Sequence, residues 1–391
     1  VSQYYPIPQP TIATNILVRR ERRLPVPGEV VVRAGQRVEP SDVLAQSTLG
    51  AEPVQVGIAA DLDMSPAAAA RRLRVSNGQT VKKGAVLAQK GGLGSRVSRS
   101  PVTGTFTGYD PSTGVGLISL PSEIVSVQAH LKGIVTELIP YYGAVIETPA
   151  TLIRGIFGIG GEQHGVLRVL VSGNDEPVTP ELIDARVSYS VALGGSEVTV
   201  AALHKMIELG ARGLITGSMR AAELAEFLGY SGHGSWRLGA TSMSGNGWDF
   251  PPPSSAVPSP VPPDFVLIIT EGFGPVPMSP RTFEMLAAYD GQEIAIDGTT
   301  RLRGGLSRPE IVIPLARTTA VRWLEETGPK VEVGKHVRLL AQAYLGQVAT
   351  VISLPVGPRA SQSGVLTTVA EVQLGTGQRL RVPIVNLEVL E

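Results

Sequence analysis

The side chains able to do chemistry are few, and the best placed of them follow short apolar runs. Gly194-Gly195-Ser196, Gly217-Ser218 and Thr270-Glu271-Gly272-Phe273-Gly274 each stand where a buried strand would end and a turn begin. Beyond the carboxyl ends of the strands of an open α/β sheet, free backbone N–H groups attract anions. Gly195, Ser196, Gly217, Ser218, Glu271 and Gly272 are therefore the candidate ligand set. The serines would donate to a carboxylate or phosphate, and Glu271 is the acid in reach of general-base work. The same Gly and Ser residues are also what a strand-to-helix turn or a helix cap requires.

Other constellations are thinner. Glu162 and His164 would share one face of a strand and could shuttle a proton, but no third group completes a metal site. Asp61 and Asp63 pose the same problem, and such pairs are most often solvated turn residues. His233 sits in a Ser/Gly loop with no acid nearby, and no G-x-S-x-G elbow exists for serine-hydrolase chemistry. The run from Gly155 to Gly161 invites comparison with a dinucleotide fingerprint, yet a strand rather than a helix follows it, which favours a bulge or a close-packed turn. Zero Cys removes thiolate catalysis and Cys-ligated metals, and no cofactor or metal is expected.

Two basic clusters bear on nucleic acid: Arg19-Arg20-Glu21-Arg22-Arg23, and Arg301, Arg303, Arg308, Arg317 and Arg322 against Glu310. Affinity for a polyanion comes from released counterions and needs many cations on one face, which neither cluster alone supplies. The whole chain of 391 residues balances 34 basic against 34 acidic side chains. With 43% hydrophobic and 17% charged residues it has ample material to bury, so a disordered chain is excluded. Forty-five Gly and 31 Pro point to many short strands joined by turns. No apolar run approaches the roughly 20 residues of a membrane span, and a cytoplasmic location is the expectation, although a chain opening on Val1 leaves room for a leader or anchor upstream.

The elements that would position these residues begin with a repeat. Val32-Arg33-Ala34-Gly35-Gln36-Arg37-Val38 followed by Val43-Leu44-Ala45-Gln46 recurs, at an offset of 43, as Val75-Ser76-Asn77-Gly78-Gln79-Thr80-Val81 followed by Val86-Leu87-Ala88-Gln89. A weaker echo at an offset of 29 relates Gly104, Phe106, Thr107 and Gly114 to Gly133, Val135, Thr136 and Gly143. Ser65, Pro66 and the run Ala67 to Leu73 predict a helix between the copies. The string G-Q-x-V-x-x-x-x-V-L-A-Q, followed by Ser100-Pro101-Val102-Thr103-Gly104-Thr105-Phe106, resembles the barrel-sandwich hybrid of lipoyl and biotinyl carrier domains over about residues 25 to 120. The carriers place a modified Lys at a hairpin tip; here the tip reads Gly91 to Arg96 and Lys90 precedes it, so the resemblance implies an architectural module without the swinging arm.

From about residue 150 apolar runs alternate with helical patterns. Strands are predicted at Gly165 to Val171, Tyr189 to Leu193, Leu214 to Thr216, Phe265 to Ile269, Glu293 to Ile296 and Ile311 to Leu315. Helices are predicted over Glu197 to Leu209, from Gly217-Ser218 through Leu228, and after Ser279-Pro280 to Tyr289, which together make a parallel or mixed α/β sheet. The Pro-rich stretch 245–264 interrupts it as a loop. Val331 to Leu340, then Gly346-Gln347-Val348-Ala349-Thr350-Val351, resembles the KOW motif of SH3-like barrels in transcription-elongation and ribosomal proteins, with Ala341-Gln342-Ala343-Tyr344 where that family carries basic or aromatic residues.

The expected chain is thus multidomain and β-rich with a central α/β domain. It comprises an extended arm (1–24) whose first 18 residues pack on a neighbouring subunit, a barrel-sandwich-hybrid-like β domain (25–150), an α/β domain (151–325) and a KOW/SH3-like barrel (326–391). With no assembled catalytic group, the expected role is a scaffold, adaptor or self-assembling structural protein with protein partners. One alternative is a small-anion or nucleotide-binding, even enzymatic, α/β protein using the strand-end turns. Another is an RNA or ribonucleoprotein contact through the C-terminal barrel.

Overall fold

The computed structural model describes residues 11–49, 52–91, 95–121, 123–228, 264–300, 307–315, 329–340, 344–360 and 366–390. Strands take 47% of the described residues and helices 14%, so the architecture is β-rich and built from several sheets. The predicted Pro-rich loop, His233, Arg301, Arg303, Arg317, Arg322 and the Ala341 to Ala343 loop lie outside the described residues.

The largest sheet places its strands in the order Phe157–Ile159, Val266–Phe273, Gly213–Met219, Ser190–Leu193, Glu162–Val169, Glu293–Asp297, Glu310–Pro314, Gly143–Arg154, Gly133–Ile139 and Arg37–Val38. Four neighbours, from Val266–Phe273 to Glu162–Val169, run parallel, and the rest are antiparallel, so the sheet is mixed. The helices Val200–Glu208, Ala221–Phe227 and Pro280–Ala287 bury Leu203, Met206, Leu224, Phe227 and Leu286 in the core shared with Val191, Leu214 and Ile268. Ser279 caps the third helix by accepting from Thr282 N at 3.2 Å, and Pro280 opens it, as predicted.

The other two helices begin later than expected. Thr199 and Arg220, not Ser196 and Ser218, are their N-caps, because Gly217 and Ser218 still belong to the strand Gly213–Met219. Ser65 precedes the short helix Pro66–Ala70 without a side-chain cap, and a further helix, Ile58–Leu62, gave no sequence signal.

The sheet does not stop at residue 150. The strand Gly143–Arg154 crosses the expected boundary and forks: Gly143 to Glu147 pair with Gly133–Ile139, and Ala150 to Arg154 pair with Glu310–Pro314. Its other edge is lined by Ile12–Arg23, from Ile12 opposite Ile153 to Arg23 opposite Gly143. The arm therefore folds on its own chain from residue 12 onward, which corrects the expectation for residues 12–18; residues 1–10 lie outside the described residues.

The sequence repeat is a nested duplication. Arg37–Val38, Val43–Leu49, Glu123–Gln128 and Gly133–Ile139 form one unit, and Gln79–Val81, Val86–Lys90, Arg96–Arg99 and Gly104–Asp110 form a second, inserted within the first. Val38 pairs with Gly133 as Val81 pairs with Gly104, and Val43 with Gln128 as Val86 with Arg99, so the leading halves differ by 43 residues and the trailing halves by 29. Both registers slip at the same place, between these pairs and Ala45–Val127 or Ala88–Ser98.

The turns repeat in atomic detail. Gly35 and Gly78 take φ of +81° and +82°, and Gln36 and Gln79 each accept the backbone N–H three residues back at 3.0 Å. Gly35 N donates to Val135 O at 2.7 Å, and Gly78 N to Phe106 O at 2.8 Å. Each unit has its own core: Val38, Leu44 and Val135 in one, Val81, Leu87 and Phe106 in the other.

The last strands form an open five-stranded sheet in the order Arg379–Pro383, Val369–Leu374, Val348–Ser353, His336–Leu339 and Leu387–Val389. A 3₁₀ turn at Ile384–Asn386 carries the chain to the final strand.

Nothing lies within 4 Å of a Cβ added at Gly35 or Gly78, so Gly35→Ala and Gly78→Ala differ from wild type only in the cost of a left-handed backbone. Each should lower stability by a similar amount, about 1–2 kcal/mol. Gly104→Ala and Gly133→Ala, whose Cβ would come within 2.4 Å of Ser119 O and 2.7 Å of Glu147 O, should cost more; urea unfolding of the four variants checks the order.

Candidate site at the strand ends and the buried ion network behind it

The structure gathers the predicted ligand residues at the carboxyl ends of the parallel strands, then fills the space beyond them with the chain itself. Ser196 N donates to Glu176 O at 3.0 Å, and Ser196 O accepts from Thr216 Oγ1 at 2.6 Å and from Ser218 N at 2.9 Å. Ser218 is fully buried, and its hydroxyl accepts from Val276 N at 3.1 Å. A Cβ at Gly195 would lie 2.3 Å from Gly173 O, and one at Gly217 would lie 2.5 Å from Met278 N. Asn174 Nδ2 ties the two covering loops by donating to Met278 O at 2.7 Å. The glycines are thus required because segments 172–178 and 274–279 press on the strand ends, and the N–H groups of Ser196 and Ser218 are engaged within the protein.

Glu271 is 5% exposed. Its Oε1 accepts from Ser279 N at 2.9 Å, and its Oε2 is salt-bridged to the Arg338 guanidinium on the C-terminal sheet. Arg338 Nη1 reaches Glu388 Oε2 at 3.2 Å, and Arg308 Nη2 reaches Glu388 Oε1 at 3.3 Å. Arg308 also donates through Nε to Gly155 O at 2.8 Å and through Nη2 to Arg154 O at 3.2 Å, on the central sheet. Two carboxylates and two guanidiniums, with side chains at most 10% exposed, balance one another across the junction of the two sheets. Arg308 Nη1 and Arg338 Nε have no hydrogen-bond partner among the described residues. Gly272 completes the contact, since a Cβ at Gly346 would stand 3.2 Å from its Cα. An acid held this way has no free oxygen edge for a substrate, so its chemistry here is structural.

The arginines of the first basic cluster are also matched. Arg19 pairs with Glu137 at 2.7 Å, Arg22 with Glu162 at 2.7 Å and Arg23 with Glu21 at 3.2 Å, while Glu310 is shared by Arg20 and by Arg154 at 3.0 Å. The first basic cluster is therefore neutralised within the chain. Asp61 accepts from Ser98 Oγ at 2.6 Å, and Asp63 lies 3.5 Å from Arg96.

Glu162 and His164 do meet other chemistry, through residues the sequence did not associate with them. His130, in a left-handed conformation at φ +50°, stacks at a tilt against His164 with ring centroids 6.2 Å apart. His130 borders a cleft of about 20 Å³, room for one water, lined also by Arg20, Arg22, Glu162, Asp297 and Glu310. Burial pushes both imidazoles below their ordinary pKa; at His130 the Glu162 carboxylate opposes this and the Arg22 guanidinium adds to it. No group of three His, Asp or Glu with metal-binding geometry occurs among the described residues. Comparison of the chain with profiles of known protein families, with curated proteins and with solved structures finds no match.

Removing one member of a buried network strands the others. Glu388→Ala should cost about 3–5 kcal/mol, because two guanidiniums lose their shared carboxylate, whereas Glu137→Ala at the exposed Arg19 should cost under about 1 kcal/mol. Chemical denaturation of the two variants measures the contrast.

Proposed function

We propose that the chain is a non-catalytic scaffold or self-assembling structural protein that works by presenting stiff surfaces to other macromolecules, protein partners or further copies of itself. The observation that carries this reading is the fate of Glu271: the one acid placed for strand-end chemistry is buried and spent on Arg338. The Gly/Ser turns around it are closed by the chain's own loops, which speaks against a nucleotide or small-anion site there.

The finer folds belong to the same proposal. A barrel-sandwich hybrid for the N-terminal unit is supported by the duplicated Gly-Gln turn and its paired strands, with Lys90 at the end of a strand rather than at a hairpin tip. An SH3-like unit at the C-terminus is supported by its strand order and by the 3₁₀ turn before the last strand. Pairing of the Arg19 to Arg23 cluster with carboxylates favours protein over RNA as the partner. No helix among the described residues is long and apolar enough to cross a membrane.

Light scattering of the purified chain should give a mass above the 41.1 kDa of one copy, and nucleotides or phosphorylated acids should leave its melting temperature unchanged. A monomer whose melting temperature rises by several degrees with such a ligand would overturn the reading.

A further inference from the structure

The His130–His164 pair spans the seam between the nested N-terminal unit and the central sheet, and each side of that seam is fixed by short contacts. Ala129 N donates to Asp42 O at 2.9 Å and His130 N to Pro40 O at 2.8 Å, which binds the segment to the outer repeat unit. Ala129 O accepts from Arg22 Nε at 2.9 Å, and Leu131 packs with Ala295 and Val312 of the central sheet. His164 lies on the strand Glu162–Val169 of that sheet. The Nδ1 atoms of both rings are buried and have no hydrogen-bond partner among the described residues.

Among the described residues, the charged groups facing the pair come from several elements. Arg20 and Arg22 come from the strand Ile12–Arg23, Glu162 from the strand that carries His164, Asp297 and Glu293 from Glu293–Asp297, and Glu310 from Glu310–Pro314. The Arg212 guanidinium also acts on His164, lowering its pKa. Glu162 is committed to Arg22 at 2.7 Å, Glu310 to Arg20 and Arg154, and Asp297 accepts from Thr299 N at 2.8 Å. A proton on His130 therefore adds a cation beside the His164 imidazole and the Arg22 guanidinium, with Glu162 and Glu310 already paired, while at His164 burial and Arg212 outweigh the opposing Glu293.

We propose that His130 and His164 form a proton-sensitive latch between the nested N-terminal unit and the central sheet, closed while both rings are neutral and loosened when they are protonated. The sign follows from burial. Both pKa values are lowered in the folded chain, so the closed seam has its full stability above the ordinary histidine value of about 6.5 and loses it as pH falls from there through the lowered values. Asp110 and Asp184, lowered to about 2 by local hydrogen bonds, stay ionised throughout that window. A seam that loosens this way would let acidity free the segment 129–131 from its neighbours while the shared strands Gly143–Arg154 and Ile12–Arg23 stay paired.

Hydrogen exchange of the full chain, corrected for the intrinsic rate at each pH, tests the latch. Between pH 7.5 and 5.5 the amides of Ala129 and His130 should exchange about tenfold faster, while those of the buried strand Val266–Phe273 hold. His130→Asn, which tolerates the left-handed backbone, combined with His164→Gln should abolish that pH dependence. Should the double variant fold poorly, the wild-type histidine ring resonances give the second reading: two must titrate below the ordinary value, together with the rise in exchange. Exchange at the seam that ignores pH, a pH dependence that survives the double substitution, or rings that all titrate at the ordinary value would each overturn the proposal.

Discussion

Two carboxylates and two guanidiniums withdrawn from water must answer one another, and the rest of the molecule is arranged so that they can. Glu271 and the backbone carbonyls held by Arg308 belong to the central sheet; Arg338 and Glu388 belong to the C-terminal sheet. Desolvating four charges costs several kcal/mol for each ion, and the two unpartnered guanidinium nitrogens show that the geometry does not recover all of it. A pair of apolar surfaces would stick better. What the ions add is a single register, because each guanidinium meets its carboxylate in one relative placement of the two sheets. The bare backbones of Gly272 and Gly346 allow the approach that this placement demands.

The opposite end of the chain is joined by covalent continuity. One strand, Gly143–Arg154, is an element of the nested unit in its first half and of the central sheet in its second, and Ile12–Arg23 splints the whole of it. Ladder hydrogen bonds make that joint stiff, with the His130–His164 contact at its seam. The insertion of one four-strand unit into another like it explains how a repeat of sequence yields one body here rather than two beads: the whole inner copy lies in sequence between the paired strands of the outer one.

What the sequence disclosed was local. The Gly-Gln turn is written in neighbouring residues, so both copies were legible, as were the Ser279-Pro280 helix start and the buried run at Phe265. Nesting was not, because the trailing strands share only the faint spacing of Gly104 and Phe106 with Gly133 and Val135. The strand ends were misjudged where Gly and Ser serve a close approach of loops instead of a helix start: Ser218 lies inside a strand, and its hydroxyl accepts a loop amide. Glu271 reads as a general base because its partner is 67 residues away in sequence, and His164 reads as a companion of Glu162 alone because His130 reaches it across the seam. Pairings of that range leave no periodicity to read.

The central claim is that the chain behaves as one stiff body, with the C-terminal sheet locked to the central sheet. The absence of cysteine makes a direct measurement clean: spin labels at Glu208→Cys on the helix Val200–Glu208 and Arg379→Cys on the edge of the C-terminal sheet report the distance between the two by double electron–electron resonance. The lock predicts one narrow distance distribution, which broadens when Glu388→Ala is added. A broad distribution in the otherwise unaltered chain would contradict it.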